Sequence, residues 1–191
     1  GILKNLSMLE KSGLNVQAFR TAFTYHNKGA ILDEFYLKTP QTLLQDKMAV
    51  SYKSLASLDK QMGKMKLDIA LKQSVIDFKD VFIFLPEAQK KQLRQYRNQK
   101  VNLTLLASGP LEALNLNRLF LKGLTQTAID VSGKVYGLPH ANKLSYQLAI
   151  ANLSSSKQDV KGFLPASVLQ QINLPNSFAV NGTISGNTKF Y

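Results

Sequence analysis

Apolar residues recur at every second position along this chain, the mark of strands with one apolar and one polar face. Over residues 127–135, Ile129, Val131 and Val135 fall on one side, while Asp130, Ser132 and Lys134 fall on the other. Residues 143–152 repeat the pattern with Leu144, Tyr146, Leu148 and Ile150, and residues 178–186 with Phe178, Val180 and Ile184. Further stripes run through Val101, Leu103, Leu105 and Ala107, and through Leu67, Ile69, Leu71 and Val75. Others join Leu44, Met48, Val50 and Tyr52, or Ile31, Phe35 and Leu37. Two stripes change phase: Leu14 and Val16 give way to Phe19, Thr21, Phe23 and Tyr25, and Leu114 and Leu116 to Leu119 and Leu121. Each change needs one extra residue, which a β-bulge supplies.

The predicted strands are about 9 to 12 residues long, or ~30 to 40 Å, roughly twice the common length. Because only one face of each is apolar, the sheet they predict is largely antiparallel. The expected fold is therefore mainly β: a long, curved sheet, either closed on itself like a sandwich or left open as a half-barrel. Turns are predicted at Lys11-Ser12-Gly13, Asn27-Lys28-Gly29, Ser108-Gly109-Pro110 and from Leu138 to Asn142. A few short helices interrupt it. They are expected over 54–62, with Ser54 as cap, over 86–96, with Pro86 in the first turn, and over 166–171. Ser156-Lys157-Gln158-Asp159 reads as a capping box opening a further turn, and Asp77 and Asp80 read as a strand end. A weak repeat sets Gly133 and Gly137 in one strand against Gly182 and Gly186 in another, as structural glycines.

Composition narrows the function more than it names one. With 45% hydrophobic residues the chain folds, and without Cys it has no disulfide, thiolate ligand or Cys nucleophile. The longest wholly apolar run is Val81-Phe82-Ile83-Phe84-Leu85, too short to span a bilayer as a helix. The opening residues do not read as a signal peptide, and residues 1–191 are expected to be a single β-rich segment of a larger protein. Neither His26 nor His140, each beside turn residues, belongs to a catalytic pattern, and Asp33 and Glu34 are adjacent on a strand. No phosphate-binding loop, nucleophile elbow or metal-ligand spacing occurs. The expectation is a non-enzymatic protein without a cofactor or metal.

The net charge is +12, which favours anionic surfaces. The densest cluster, Lys90, Lys91, Arg94, Arg97 and Lys100, is the candidate contact, with Lys90, Arg94 and Arg97 sharing a helix face. Nucleic acid is not the expected partner, because most aromatics (Phe19, Phe23, Tyr25, Phe35, Tyr146, Phe178) sit in phase with the apolar stripes.

Several stretches resemble one family. They are Leu9-Glu10-Lys11-Ser12-Gly13-Leu14, then Tyr36-Leu37-Lys38-Thr39-Pro40 with the strand from Leu43 to Tyr52. Gly133-x-Val135-x-Gly137-Leu138-Pro139 follows, then Ala149 to Ser156 with Asp159 and Phe163-Leu164-Pro165. Ile172-x-Leu174-Pro175 leads into Phe178-x-Val180-x-Gly182-x-Ile184-x-Gly186. Together they resemble the AsmA-like superfamily, in its TamB-like branch of Bacteroidota. The resemblance covers most of the chain and weakens between Pro86 and Lys100.

It implies a segment of a protein anchored in the inner membrane, whose taco-shaped sheet crosses the periplasm. The apolar concave face of such a sheet carries phospholipid acyl chains towards the outer membrane. A BamA-like barrel is the implied partner, in outer-membrane protein assembly and secretion. On that reading Ile129, Val131, Val135, Leu144, Tyr146, Leu148, Ile150, Phe178, Val180 and Ile184 would face lipid. The alternative is a scaffold that holds client strands by β-augmentation; a basic nucleic-acid-binding module ranks third. Exposed sheet edges would also favour dimerisation.

Overall fold

The computed structural model describes residues 1–54, 61–164 and 166–187. Ten antiparallel strands form one open, curved sheet in strict chain order. They are β1 (Ile2–Leu9), β2 (Asn15–His26), β3 (Gly29–Lys38), β4 (Leu43–Ser51) and β5 (Lys66–Asp77), then β6 (Lys100–Pro110), β7 (Ala113–Gly123), β8 (Thr127–Tyr136), β9 (Ser145–Ser156) and β10 (Ser177–Asn187). The ladders join neighbours only, so β1 and β10 are edges.

In such a meander every odd-to-even connection lies at one end of the sheet. That end carries α1 (Phe78–Phe84) and α2 (Glu87–Gln92) between β5 and β6, and α3 (Lys157–Val160) and α4 (Ala166–Gln171) between β9 and β10. Helix α1 continues directly from β5 and α3 directly from β9. The strands themselves form one layer.

Burial therefore has to come from curvature. Phe35, Leu71 and Leu103 are each 6 to 7% exposed, surrounded by Phe19, Leu32, Leu37, Leu44, Met48, Ile69, Ile76, Leu105, Leu119 and Leu121. The Phe19 and Phe35 rings meet edge to face at 5.7 Å. In a single layer, side chains reach such burial only where the sheet curls around them, so the apolar face is the inner one. The bending device is visible in the ladders, all nine of which contain a register shift. Bulges bend a strand and sharpen its twist.

The two predicted bulges are present: one extra residue lies between Val16 and Phe19, and another between Leu116 and Leu119. Others overturn two expected stripe positions. A shift between Leu32 and Phe35, with Glu34 at φ 50°, brings Leu32 to the core in place of Ile31. A shift between Leu71 and Ser74, with Gln73 at φ 48°, does the same for Ile76 in place of Val75. Ser108-Gly109-Pro110 belongs to β6 rather than to a turn, and Leu144 precedes β9 instead of lying in it.

The expected helix over 86–96 is broken: α2 ends at Gln92 and a separate 3₁₀ turn runs Arg94–Tyr96. Most of the helix expected over 54–62 lies outside the described residues. Helix α1 was hidden in the apolar run after β5. Asp77 ends that strand and caps the helix, its Oδ1 accepting from the Lys79 N–H at 2.8 Å.

Gln73 offers a test of the bulge geometry. A left-handed conformation costs a non-glycine residue about 1 to 2 kcal/mol, and glycine's extra chain freedom costs about 0.5 to 1 kcal/mol. The exposed Gln73 side chain contributes no hydrogen bond that offsets this. Gln73→Gly should therefore raise the melting temperature by about 2 to 4 °C. A fall in a thermal melt would contradict a left-handed residue at this bulge.

Candidate functional site

The inner face is built from rows of side chains that run across the strands. Leu103, Leu121, Ile129, Leu153 and Val180 stand opposite one another from β6 to β10. Beside them run Leu71, Leu105, Leu119, Val131 and Ile150, a row that ends at Gly182. Next come Ile69, Ala107, Leu116, Gly133, Leu148 and Ile184, and then Leu114, Val135, Tyr146 and Gly186. Apart from the Tyr146 phenol, these rows contain no ionisable group. Of the predicted stripe, Ile129, Val131, Val135, Tyr146, Leu148, Ile150, Val180 and Ile184 fall in these rows. Phe178 lies opposite Ser155 at the helical end, and Leu144 lies outside. Leu153 was missed, because an extra residue in β9 brings it into phase after Ile150.

The cover over this face thins towards the edge. Val131 and Ile150 are 8% and 9% exposed, whereas Val180 and Ile184 on β10 are 47% and 45% exposed. The result is an apolar trough that opens towards β10. Two of its glycines have nearly the same φ: 142° at Gly133 and 145° at Gly182. Gly137 is also left-handed at φ 86°. Gly186 instead makes room for the Tyr146 ring, because a Cβ there would lie 2.7 Å from the phenol oxygen.

At the helical end the face turns polar, and buried hydrogen bonds tie the turns together. Thr42 Oγ1 accepts from the Asp77 N–H at 3.1 Å, and the Thr39 hydroxyl donates to Asp80. Asp159 is 2% exposed and accepts from the Gln126 N–H at 2.7 Å, the Thr127 hydroxyl at 2.8 Å and the Thr125 N–H at 3.1 Å. Ser156 caps α3 as the sequence predicts, accepting from the Asp159 N–H at 3.2 Å. Burial pushes the Asp159 carboxyl up, but the bonds from Gln126, Thr127 and Thr125 outweigh it and hold the group below its ordinary range. Tyr96 then locks the two helical connections together. Its ring stacks on Phe163 at 4.6 Å, and its oxygen accepts from the Gly162 N–H at 3.0 Å.

The basic cluster belongs to this end. Lys79, Lys90, Lys91, Arg94 and Arg97 line a cleft of about 470 Å³ with Phe82 and Ile83. Lys90 pairs with Glu87 at 2.8 Å. Lys100 lies at this end too but does not line the cleft: it opens β6 and faces the Asp77 carboxylate at 3.6 Å. Lys79 was missed because α1 was.

Elsewhere, a hollow of about 740 Å³ lies over β1–β5, lined by charges of both signs, including Lys4, Arg20, Glu34, Asp46 and Lys72. Such a lining does not suit an acyl chain. His26 and His140 are exposed, and the His26 Nδ1 accepts from the Lys28 N–H at 3.2 Å. Among the described residues no group of His, Asp and Glu side chains could hold a metal ion, and no helix is long and apolar enough to cross a membrane. Comparison of the chain with family models, with curated proteins and with solved structures found no match.

Proposed function

We propose that this chain is a non-enzymatic segment of a β-groove that carries phospholipid acyl chains. One observation carries the reading: the apolar rows across β6–β10 lie on one face of a single sheet, and at β10 Val180 and Ile184 are left 47% and 45% exposed. A face built only as core would be covered. Left half-open, it gains about 0.8 kcal/mol for each acyl CH₂ it removes from water.

The resemblance to AsmA-like, TamB-like proteins gives this groove a setting. The segment would belong to a chain anchored in the inner membrane, crossing the periplasm and serving outer-membrane biogenesis with a BamA-like barrel.

The test is mass spectrometry of organic extracts from the purified chain made in a bacterial host, against an equally basic control protein. Phospholipid should be retained in near-stoichiometric amount. It should be lost from a folded variant carrying Ile129→Asp and Leu148→Asp. A lipid-free chain would overturn the reading.

The second reading, a scaffold for outer-membrane protein assembly, rests on β10. That strand is an unpaired edge exposed along most of its length, which suits addition of a client strand.

A further inference from the structure

The helical end of the sheet carries a second surface whose chemistry differs from that of the trough. We propose that this end docks on an anionic lipid bilayer, with Lys79, Lys91, Arg94 and Arg97 meeting headgroup phosphates and Phe84 entering the interface. The inference does not rest on acyl chains occupying the trough.

Charge is the first argument. Among the described residues none of these cations has a carboxylate partner, so they are available to an external anion. They converge on one cleft instead of following a stripe. A stripe would suit the evenly spaced phosphates of a nucleic acid; a compact cluster suits a headgroup.

Exposed apolar surface is the second argument. Phe84 is 64% exposed, Phe163 46% and Ile172 50%, all in the two helical connections at this end. The cleft itself is walled by the half-buried Ile83 and by Phe82, which is buried. A cationic cleft, on the same end of the sheet as the exposed Phe84, Phe163 and Ile172, matches the headgroup and upper acyl region of a bilayer in turn.

Rigidity is the third. Tyr96, held by Phe163 and the Gly162 N–H, fixes the two connections to each other, so the platform is formed before it binds. Docking there sets the strands pointing away from the membrane.

The test is co-sedimentation of the chain with vesicles of phosphatidylcholine alone, or of phosphatidylcholine mixed with phosphatidylglycerol. Binding is expected only to the mixed vesicles, falling as salt rises. Lys91→Ala with Arg94→Ala should weaken it about 25-fold, from about five-fold per cation. Lys122→Ala with Lys134→Ala removes the same charge from the strands and should change it less than about two-fold. Phe84→Ser should weaken it about ten-fold. All four replaced cations are exposed, and circular dichroism melts should match the parent.

Equal losses from the two double variants would overturn the proposal in favour of bulk charge. Displacement by millimolar inorganic phosphate, with Phe84→Ser silent, would replace it with a free-anion site. A single-stranded oligonucleotide that displaces the vesicles at matched charge would replace it with a nucleic-acid site.

Discussion

Replacing Asp159 with alanine is expected to cost the fold about 3 to 5 kcal/mol and to lower the melting temperature by about 10 °C. The carboxylate is 2% exposed and receives three donors from the β7–β8 turn and the start of β8. A buried donor left without a partner costs about 1 to 3 kcal/mol. The Thr127 hydroxyl can fall back on Ser155, 2.7 Å away, whereas the two N–H groups have no such substitute. Asp130 is the useful contrast. It holds Arg118 through two short bonds of 3.1 and 2.6 Å, but on the exposed face, where ion pairs contribute little. Asp130→Ala should therefore move the melt far less than Asp159→Ala, although it breaks the more conspicuous pair. Equal shifts would mean that the Asp159 network does not fasten the end of the sheet.

The same carboxylate gives the fold a pH dependence of known sign. Its folded-state pKa lies below the unfolded value of about 3.9. The stabilisation is therefore complete above that unfolded value and is lost as pH falls through the folded one. The stability difference between the parent and Asp159→Asn should be level above about pH 5 and shrink below about pH 4. A difference that stays constant down to pH 3 would contradict the lowered pKa.

The limits of the sequence reading have physical causes. Period-2 alternation locates the strands because each has one solvated face. It locates the bulges in β2 and β7 because an apolar stripe changes phase there. The bulges at Glu34 and Gln73 leave no such trace, since Ile31 and Leu32 are both apolar, as are Val75 and Ile76. Hydrophobicity cannot then say which member of the pair turns inward.

The same ambiguity hid α1, whose run from Val81 to Leu85 fits a buried strand as well as a helix. With it went Lys79 and the true membership of the basic cleft. Asp159 reads correctly as part of a cap on Ser156. Its bonds to residues 33 and 34 positions earlier are tertiary, and no local pattern encodes them. The trough rows were largely legible, because stripes that alternate in every strand of a meander must line up once the strands pair.

Gly133→Ala is expected to be about as damaging as the loss of Asp159, and for a reason that separates it from its repeat partner. Gly133 and Gly182 have nearly the same φ, 142° and 145°, in a region that L side chains avoid. Either substitution should therefore cost about 1 to 3 kcal/mol in backbone strain. Their surroundings differ. Gly133 sits inside the sheet, where a Cβ would lie 2.1 Å from the Gln147 carbonyl oxygen and 2.9 Å from the Leu148 Cα. Those atoms belong to the ladder between β8 and β9 and cannot yield without breaking it, which adds about 1 to 3 kcal/mol of overpacking. At Gly182, on the edge, a Cβ would meet nothing within 4 Å, and an edge strand is free to relax. Urea melts should place Gly133→Ala about 3 to 5 kcal/mol below the parent, with Gly182→Ala well short of that. Equal losses at the two positions would mean that backbone strain alone sets the need for glycine. A larger loss at Gly133 would mean that close approach of β8 to β9 is what makes glycine necessary on the floor of the trough.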